Sequence, residues 1–249
     1  MIDMPLTLNK VRQKTITHVQ LNKQIARQCS TIADAAFRQA SAVLSTNIDR
    51  ATFFSDFAQA STDMLYHLAN WETSNLNLVF PPREKIVFVG WQFPELPLLF
   101  HLIRDKHVLV VTAQDAPWLE KLKYAGCFVS PMTRQGRSNL EHAMSAGRLI
   151  GIAGDAIQPS RQTANASLFG QYVAMNDHIL EQAVINHYSL MFLAPRSKTI
   201  EITDTLPKDR FTKAGAAKWI NQCLQREIQR APHRWLMWSS LSYRVSKQL

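Results

Sequence analysis

The chain has 249 residues, 46% of them hydrophobic, which is enough to bury a sizeable core in a single domain spanning 1–249. Eight glycines argue against a glycine-rich nucleotide-binding protein, and three scattered cysteines, Cys29, Cys127 and Cys223, without a C-x-x-C pair, exclude a disulfide framework and a zinc knuckle. The formal charge is +9 and uneven: from Lys208 onward nine Lys and Arg face only Asp209 and Glu227, a net +7, so the chain either meets an anionic partner or carries a solvated basic face.

Residues 1–80 read as a helical N-terminal segment. Val11, Ile16, Val19, Ile25 and Ile32 recur at roughly helical spacing among Lys10, Arg12, Lys14, Lys23 and Arg27, giving one or two helices within 8–46. A second helical block covers 52–71, with Phe53, Phe54, Phe57, Met64, Leu65 and Leu68 as its apolar stripe. Such helices can lie on a membrane surface or pack on the chain's own sheet. The first residues lack the apolar stretch of a signal peptide, and no run is long enough to span a bilayer, so a cytoplasmic location is expected.

Pro81-Pro82 opens the α/β part, residues 81–249. Strands are expected at 86–89, 108–112, 127–131 and 149–153, alternating with helices at 94–104, 117–124 and 138–146. A polar loop follows over 158–166, then a helix at 177–186. Strands at 188–194 and 199–204, antiparallel at one edge, precede a long closing helix over 211–230. This alternation implies a mixed, mainly parallel sheet flanked by helices.

No P-loop, G-x-G-x-x-G, G-x-S-x-G or H-E-x-x-H occurs. Four other features carry chemistry. The turn after the first strand, Gly90-Trp91-Gln92-Phe93-Pro94-Glu95, holds one carboxylate where a strand hands over to a helix, the usual place for chemistry in such sheets. His101 and Asp105 share a helix face, as a base pair or as a surface pair. Arg134 and Arg137 sit in a loop before a helix that Ser138 and Glu141 cap as a box, which makes either an anion site or two ordinary loop arginines. Asp155 closes the strand LIGIAGD, and Arg161 follows it with no further acid, a poor metal site.

Taken in order, Arg134-x-Gly136 with LEHAMSAGRLIGIAGD, Phe169-Gly170, HILEQAVINHYSLMFLAPR and the tail signature Pro232-x-x-Trp235-x-x-Trp238 resemble the late lipid A acyltransferases over residues 84–244. The resemblance implies a glycerol-phosphate-acyltransferase-like fold and transfer of an acyl group from a carrier-protein or coenzyme A thioester to a hydroxyl on a lipid, with no other cofactor. That family uses an H-x-x-x-x-(D/E) turn, in which His is the base. Here Glu95 keeps the acid position, while Gly90 stands at the His position. Lack of the His and of a membrane helix, with a basic surface, is similar to the lipid A glycyltransferase branch, which takes an aminoacyl group from a carrier.

The resemblance thus implies a transferase, peripheral on the inner face of the cytoplasmic membrane, acting on an anionic lipid such as lipid A. Glu95 and Asp155 would be its catalytic carboxylates. Arg134, Arg137 and Arg161 would hold substrate phosphate, and Trp235 and Trp238 would meet lipid or pack against the sheet. The basic tail would dock an acidic carrier protein. The alternative is a catalytically silent protein of this fold that binds lipid or a partner protein. Nucleic acid is not expected, because no reading motif accompanies the charge.

Overall fold

The computed structural model describes residues 30–44, 47–70, 85–96, 108–112, 128–131, 134–155, 163–196, 199–238 and 241. Its centre is a six-stranded sheet of β1 (Ile86–Gly90), β2 (Leu109–Thr112), β3 (Phe128–Pro131), β4 (Ile150–Ala153), β7 (Ser189–Arg196) and β8 (Thr199–Leu206), in the order β3-β2-β4-β1-β7-β8. Five strands are parallel and β8 closes one edge antiparallel to β7. The expected mixed, mainly parallel sheet flanked by helices is therefore present.

All five residues of β1, IVFVG, are buried. A strand covered on both faces needs no polar alternation, which is why this run is apolar throughout. Parallel pairing with β4 and β7 brings the carboxyl ends of β1 and β4 side by side, with Gly90 opposite Ala153. Beyond the strands the Gly154 N–H donates to the Gly90 carbonyl at 2.7 Å. A Cβ on Gly154 would stand 2.8 Å from Val89 Cγ1 and 3.0 Å from Ile220 Cγ2, so the close approach there requires glycine.

The N-terminal segment contributes α1 (Ser30–Val43) and α2 (Arg50–Asn70). Asp49 starts α2 by accepting the Thr52 N–H at 2.8 Å, and that bond holds its carboxyl below the usual range. Phe53, Phe57 and Leu65 are buried at helical spacing, and Phe53 and Phe57 join the same core as β1. α1 and α2 pack into the chain's own core, while the basic helical stretch expected over 8–29 lies outside the described residues. No helix among the described residues is long and apolar enough to cross a membrane.

Against the strands, α5 (Lys213–Arg230) buries Ala216, Ala217, Ile220, Leu224 and Ile228 along one stripe. Thr212 caps it through the Gly215 N–H at 3.1 Å. Its last turns are tied to β7 by a fork of two bonds, Arg196 Nη1 and Nη2 to the Glu227 carboxylate at 2.8 and 2.7 Å. α4 (Asp177–Ile185) precedes β7 in sequence.

Two expectations need correction. The polar loop expected over 158–166 is strand from Thr163: β5 (Thr163–Leu168) pairs antiparallel with β6 (Gln171–Asn176). The sequence TANASL has little intrinsic strand preference, and pairing supplies what composition does not. The turn between them is Phe169-Gly170, both at positive φ (52° and 75°), the two-residue geometry that suits a twisted hairpin. The second correction concerns α3 (Arg134–Ser145), which begins four residues before the expected Ser138. Arg134 and Arg137 are therefore in its first turn, not in a preceding loop, and Ser138 lies inside the helix, where it cannot be an N-cap. The expected helices at 117–124 and over most of 94–104 lie outside the described residues.

Candidate functional site

Three segments meet where β1 and β4 end. From β1 the chain passes through buried Trp91 and Phe93, whose rings pack at 5.1 Å, and turns so that Leu96 N–H bonds the Phe93 carbonyl at 3.0 Å. From β4 it passes through Gly154 to Asp155. From α5 it leaves through a short 3-10 turn, Pro232–Arg234, into Trp235. Pro232 cannot continue the helix, so the chain folds back over the strand ends at this point.

Asp155 joins the three. It is fully buried, and its Oδ2 accepts the Gln92 N–H at 2.8 Å and the Trp235 indole N–H at 2.9 Å. Leu236 N–H adds a bond to the Gln92 carbonyl at 3.3 Å. A buried carboxylate needs such donors, since its desolvation is otherwise costly. The carboxylate therefore knots β1's exit, β4's exit and the tail together, and it orients the loop rather than facing solvent.

Trp235 and Trp238 are both fully buried, with centroids 4.7 Å apart and planes at 68°. Trp238 donates to the Pro232 carbonyl at 2.7 Å. The Phe169 ring covers both, 6.5 Å from Trp235 and 5.9 Å from Trp238, and its backbone N–H donates to Gln225 Oε1 at 2.9 Å. These contacts hold Phe169 at a φ that costs a side chain-bearing residue about 1–2 kcal/mol. Of the two readings of the tryptophans, the structure realises packing: a fully buried indole presents no surface to a lipid.

Glu95 stands at the rim of this knot and is about one-fifth exposed (20%). Its Oε1 accepts a short hydrogen bond from Arg234 Nη2. Its Oε2 is buried and has no hydrogen-bond partner among the described residues, and the same holds for Arg234 Nε. An acceptor and a donor, both buried and both unmet, lie in one ion pair. Each such group costs about 1–3 kcal/mol until something satisfies it. A ligand carrying both a donor and an acceptor fits that need.

Next to Arg234 is His233, whose Nδ1 lies 3.8 Å from Asp56 Oδ2 on α2. Burial lowers its pKa below the ordinary 6.5; Asp56 pulls it up and Arg234 pushes it further down. Three consecutive residues thus reach three carboxylates on three separate segments: His233 to Asp56, Arg234 to Glu95 and Trp235 to Asp155. All three contacts escaped the sequence analysis, which singled out Glu95, Asp155 and Trp235 but neither His233, Arg234 nor Asp56. The usable signal was two ionisable residues between a helix-ending Pro232 and a large aromatic.

The remaining candidates are more distant. Arg134 is exposed and Arg137 half-buried in the first turn of α3, which follows edge strand β3. They share the carboxyl end of the sheet with Glu95, but β3 is three strands from β1, about 14 Å at 4.8 Å per strand. Arg161, His101 and Asp105 lie outside the described residues. In the basic tail, Arg226 is engaged by Asp204 at 2.7 Å and Arg234 by Glu95. Lys208, Arg210 and Lys218 are exposed near the start of α5, whereas Arg230 is exposed at its other end, about 27 Å away for 18 residues at 1.5 Å each. Among the described residues no cluster of His, Cys, Asp and Glu is placed to hold a metal ion.

No protein-family model matches the chain, and no curated protein matches it either.

Proposed function

We propose that the protein is a transferase that moves an acyl or aminoacyl group from a carrier-protein or coenzyme A thioester to an anionic lipid such as lipid A, on a glycerol-phosphate-acyltransferase-like scaffold. The observation that carries the reading is the half-satisfied Glu95–Arg234 pair at the carboxyl ends of β1 and β4. Crevices at those ends are where open α/β sheets bind ligands. An acceptor hydroxyl or amine donates to Glu95 Oε2, and a carbonyl oxygen accepts from Arg234 Nε. Both reacting groups are then held by one rigid fork, and positioning of that kind removes much of the entropic barrier.

Asp155 acts in this reading by fixing the Glu95 turn through the Gln92 N–H. Arg134 and Arg137 hold phosphate at the outer part of the same sheet end, and Arg161, which follows β4 in sequence, is the third phosphate-holding arginine of this reading. The acidic carrier meets the exposed basic residues of the tail, and the protein works at the inner face of the cytoplasmic membrane. Incubation with labelled glycyl- or lauroyl-carrier protein and lipid A vesicles tests the reading directly: label enters the lipid if it holds.

A second reading has its own observation. Gly90 offers no side chain at the strand end, and Arg234 already occupies one oxygen of Glu95. A scaffold kept for binding lipid or a partner protein, without transfer, is consistent with both. Vesicle binding with no label transferred from either donor separates the two readings.

A further inference from the structure

Attack by a hydroxyl or a neutral amine frees a proton from the attacking atom, and among the described residues the strand end itself holds no group placed to take it. Gly90 has no side chain, and Asp155 is fully buried with Oδ2 committed to two donors. Glu95 is held by Arg234, which suits it to orientation. The adjacent residue in the same 3-10 turn is an imidazole. Its Cα is about 3.8 Å from that of Arg234, as in any trans peptide. We propose that His233, held against Asp56, is the proton acceptor for the group that attacks the thioester; this rests on the function proposed above.

Several observations support the role. His233 is about one-third exposed (32%), so it is open to a substrate yet shielded on one side. Nδ1 faces Asp56 Oδ2 at 3.8 Å, and neither ring nitrogen makes a hydrogen bond to another described residue. Burial keeps the ring neutral at neutral pH, the state in which it accepts a proton. Asp56 on α2 and Arg234 in the same turn are the charged groups that act on it; α5 also packs on this turn and adds none. Asp56 then stabilises the imidazolium once it forms.

The step balances. The acceptor oxygen or nitrogen forms a bond to the thioester carbonyl carbon, and its proton moves to His233 Nε2. The carbon–sulfur bond breaks, and the thiolate leaves and takes the proton back from the imidazolium. Thioester and acceptor become ester or amide and free thiol, and His233 returns to its neutral form.

The test measures transfer from glycyl- and lauroyl-carrier protein to lipid A vesicles across pH, with wild type, His233→Gln and Asp56→Asn. Wild type is expected to lose kcat/KM on the acid side, with a midpoint below 6.5. His233→Gln is expected to lose about 10²–10⁴ in kcat at unchanged KM, along with that acid limb. Asp56→Asn keeps His233 in place and removes the group that raises its pKa, so the acid limb moves to lower pH. This second variant decides the matter if His233→Gln does not fold, because a purely structural His233 leaves the limb unmoved. Wild-type transfer with an unchanged rate and acid limb in His233→Gln overturns the inference and leaves the function standing. No transfer by wild type removes both.

Discussion

Arg234 and Glu95 are 139 residues apart in sequence and form an ion pair at the carboxyl end of the central strand. Each is less than one-third exposed, and each keeps one buried polar atom unmet. Removing the guanidinium leaves neither oxygen of Glu95 bonded to another described residue. Arg234→Met is therefore expected to lose about 1–3 kcal/mol, read as a lower denaturant midpoint at unchanged slope. The double variant with Glu95→Gln is expected to lose less than the sum of the singles, because the two changes remove one interaction. Additive losses would mean that the pair contributes nothing jointly.

The Asp155–Trp235 bond makes a different prediction, since it concerns stability and not chemistry. Trp235→Phe keeps an aromatic ring but removes the indole donor from a buried carboxylate, together with part of the packed ring volume. A loss of about 1.5–3 kcal/mol is expected. For a domain of this size that is a fall in Tm of about 3–12 °C in calorimetry. A variant as stable as wild type would show that Asp155 does not depend on the tail.

Two glycines separate steric from conformational cost. Gly154→Ala places a methyl 2.8 Å from Val89 Cγ1, on a β-branched side chain in the central strand that has little room to turn. Overpacking of this kind costs about 1–3 kcal/mol. Gly170→Ala meets no atom within 4 Å, so its cost is backbone strain at φ 75° alone, about 1–2 kcal/mol. Cavity-compatible repacking, Val89→Ala in the Gly154→Ala background, is expected to recover part of the first loss. It has no reason to recover any of the second, which equilibrium unfolding of wild type, the two glycine variants and each of them with Val89→Ala would show.

Tyr188 gives the pH dependence. Its hydroxyl is 2.7 Å from the Arg148 carbonyl and 3.2 Å from that of Met144, and burial pushes its pKa up to about 12 from 10.0. The folded state thus holds a proton that the unfolded state releases between those values. Stability from this group is complete below pH 10 and is lost as pH rises toward 12. Tyr188→Phe is expected to cost about 0.5–1.5 kcal/mol at neutral pH and to flatten the alkaline fall in stability. An identical alkaline slope in the variant would contradict the assignment.

The central sheet was legible in the sequence for a physical reason. Runs such as 86–89 and 108–111 are apolar on both faces because both faces are buried, and that signal is local. The β5–β6 hairpin was not legible, because TANASL becomes strand through pairing and packing on α5 rather than through its own preference. The start of α3 was misplaced because Ser138 and Glu141 have capping-box spacing inside a helix that had already begun at Arg134. Glu95 and Asp155 were identifiable from their positions at strand ends. Their partners were not, since Arg234 and Trp235 reach them only after the closing helix has crossed the sheet.

The reading of Glu95 as the group that orients the acceptor stands or falls on one measurement. Wild type and Glu95→Gln are given labelled glycyl- or lauroyl-carrier protein with lipid A vesicles, and label in the extracted lipid is followed with time. Label from one of the two donors is expected with wild type, and a rate lower by about 10²–10⁴ with Glu95→Gln, a loss of the size that follows removal of a positioned catalytic group. No label in the lipid from either donor, with the vesicles still bound, would contradict a transferase and leave a binding protein.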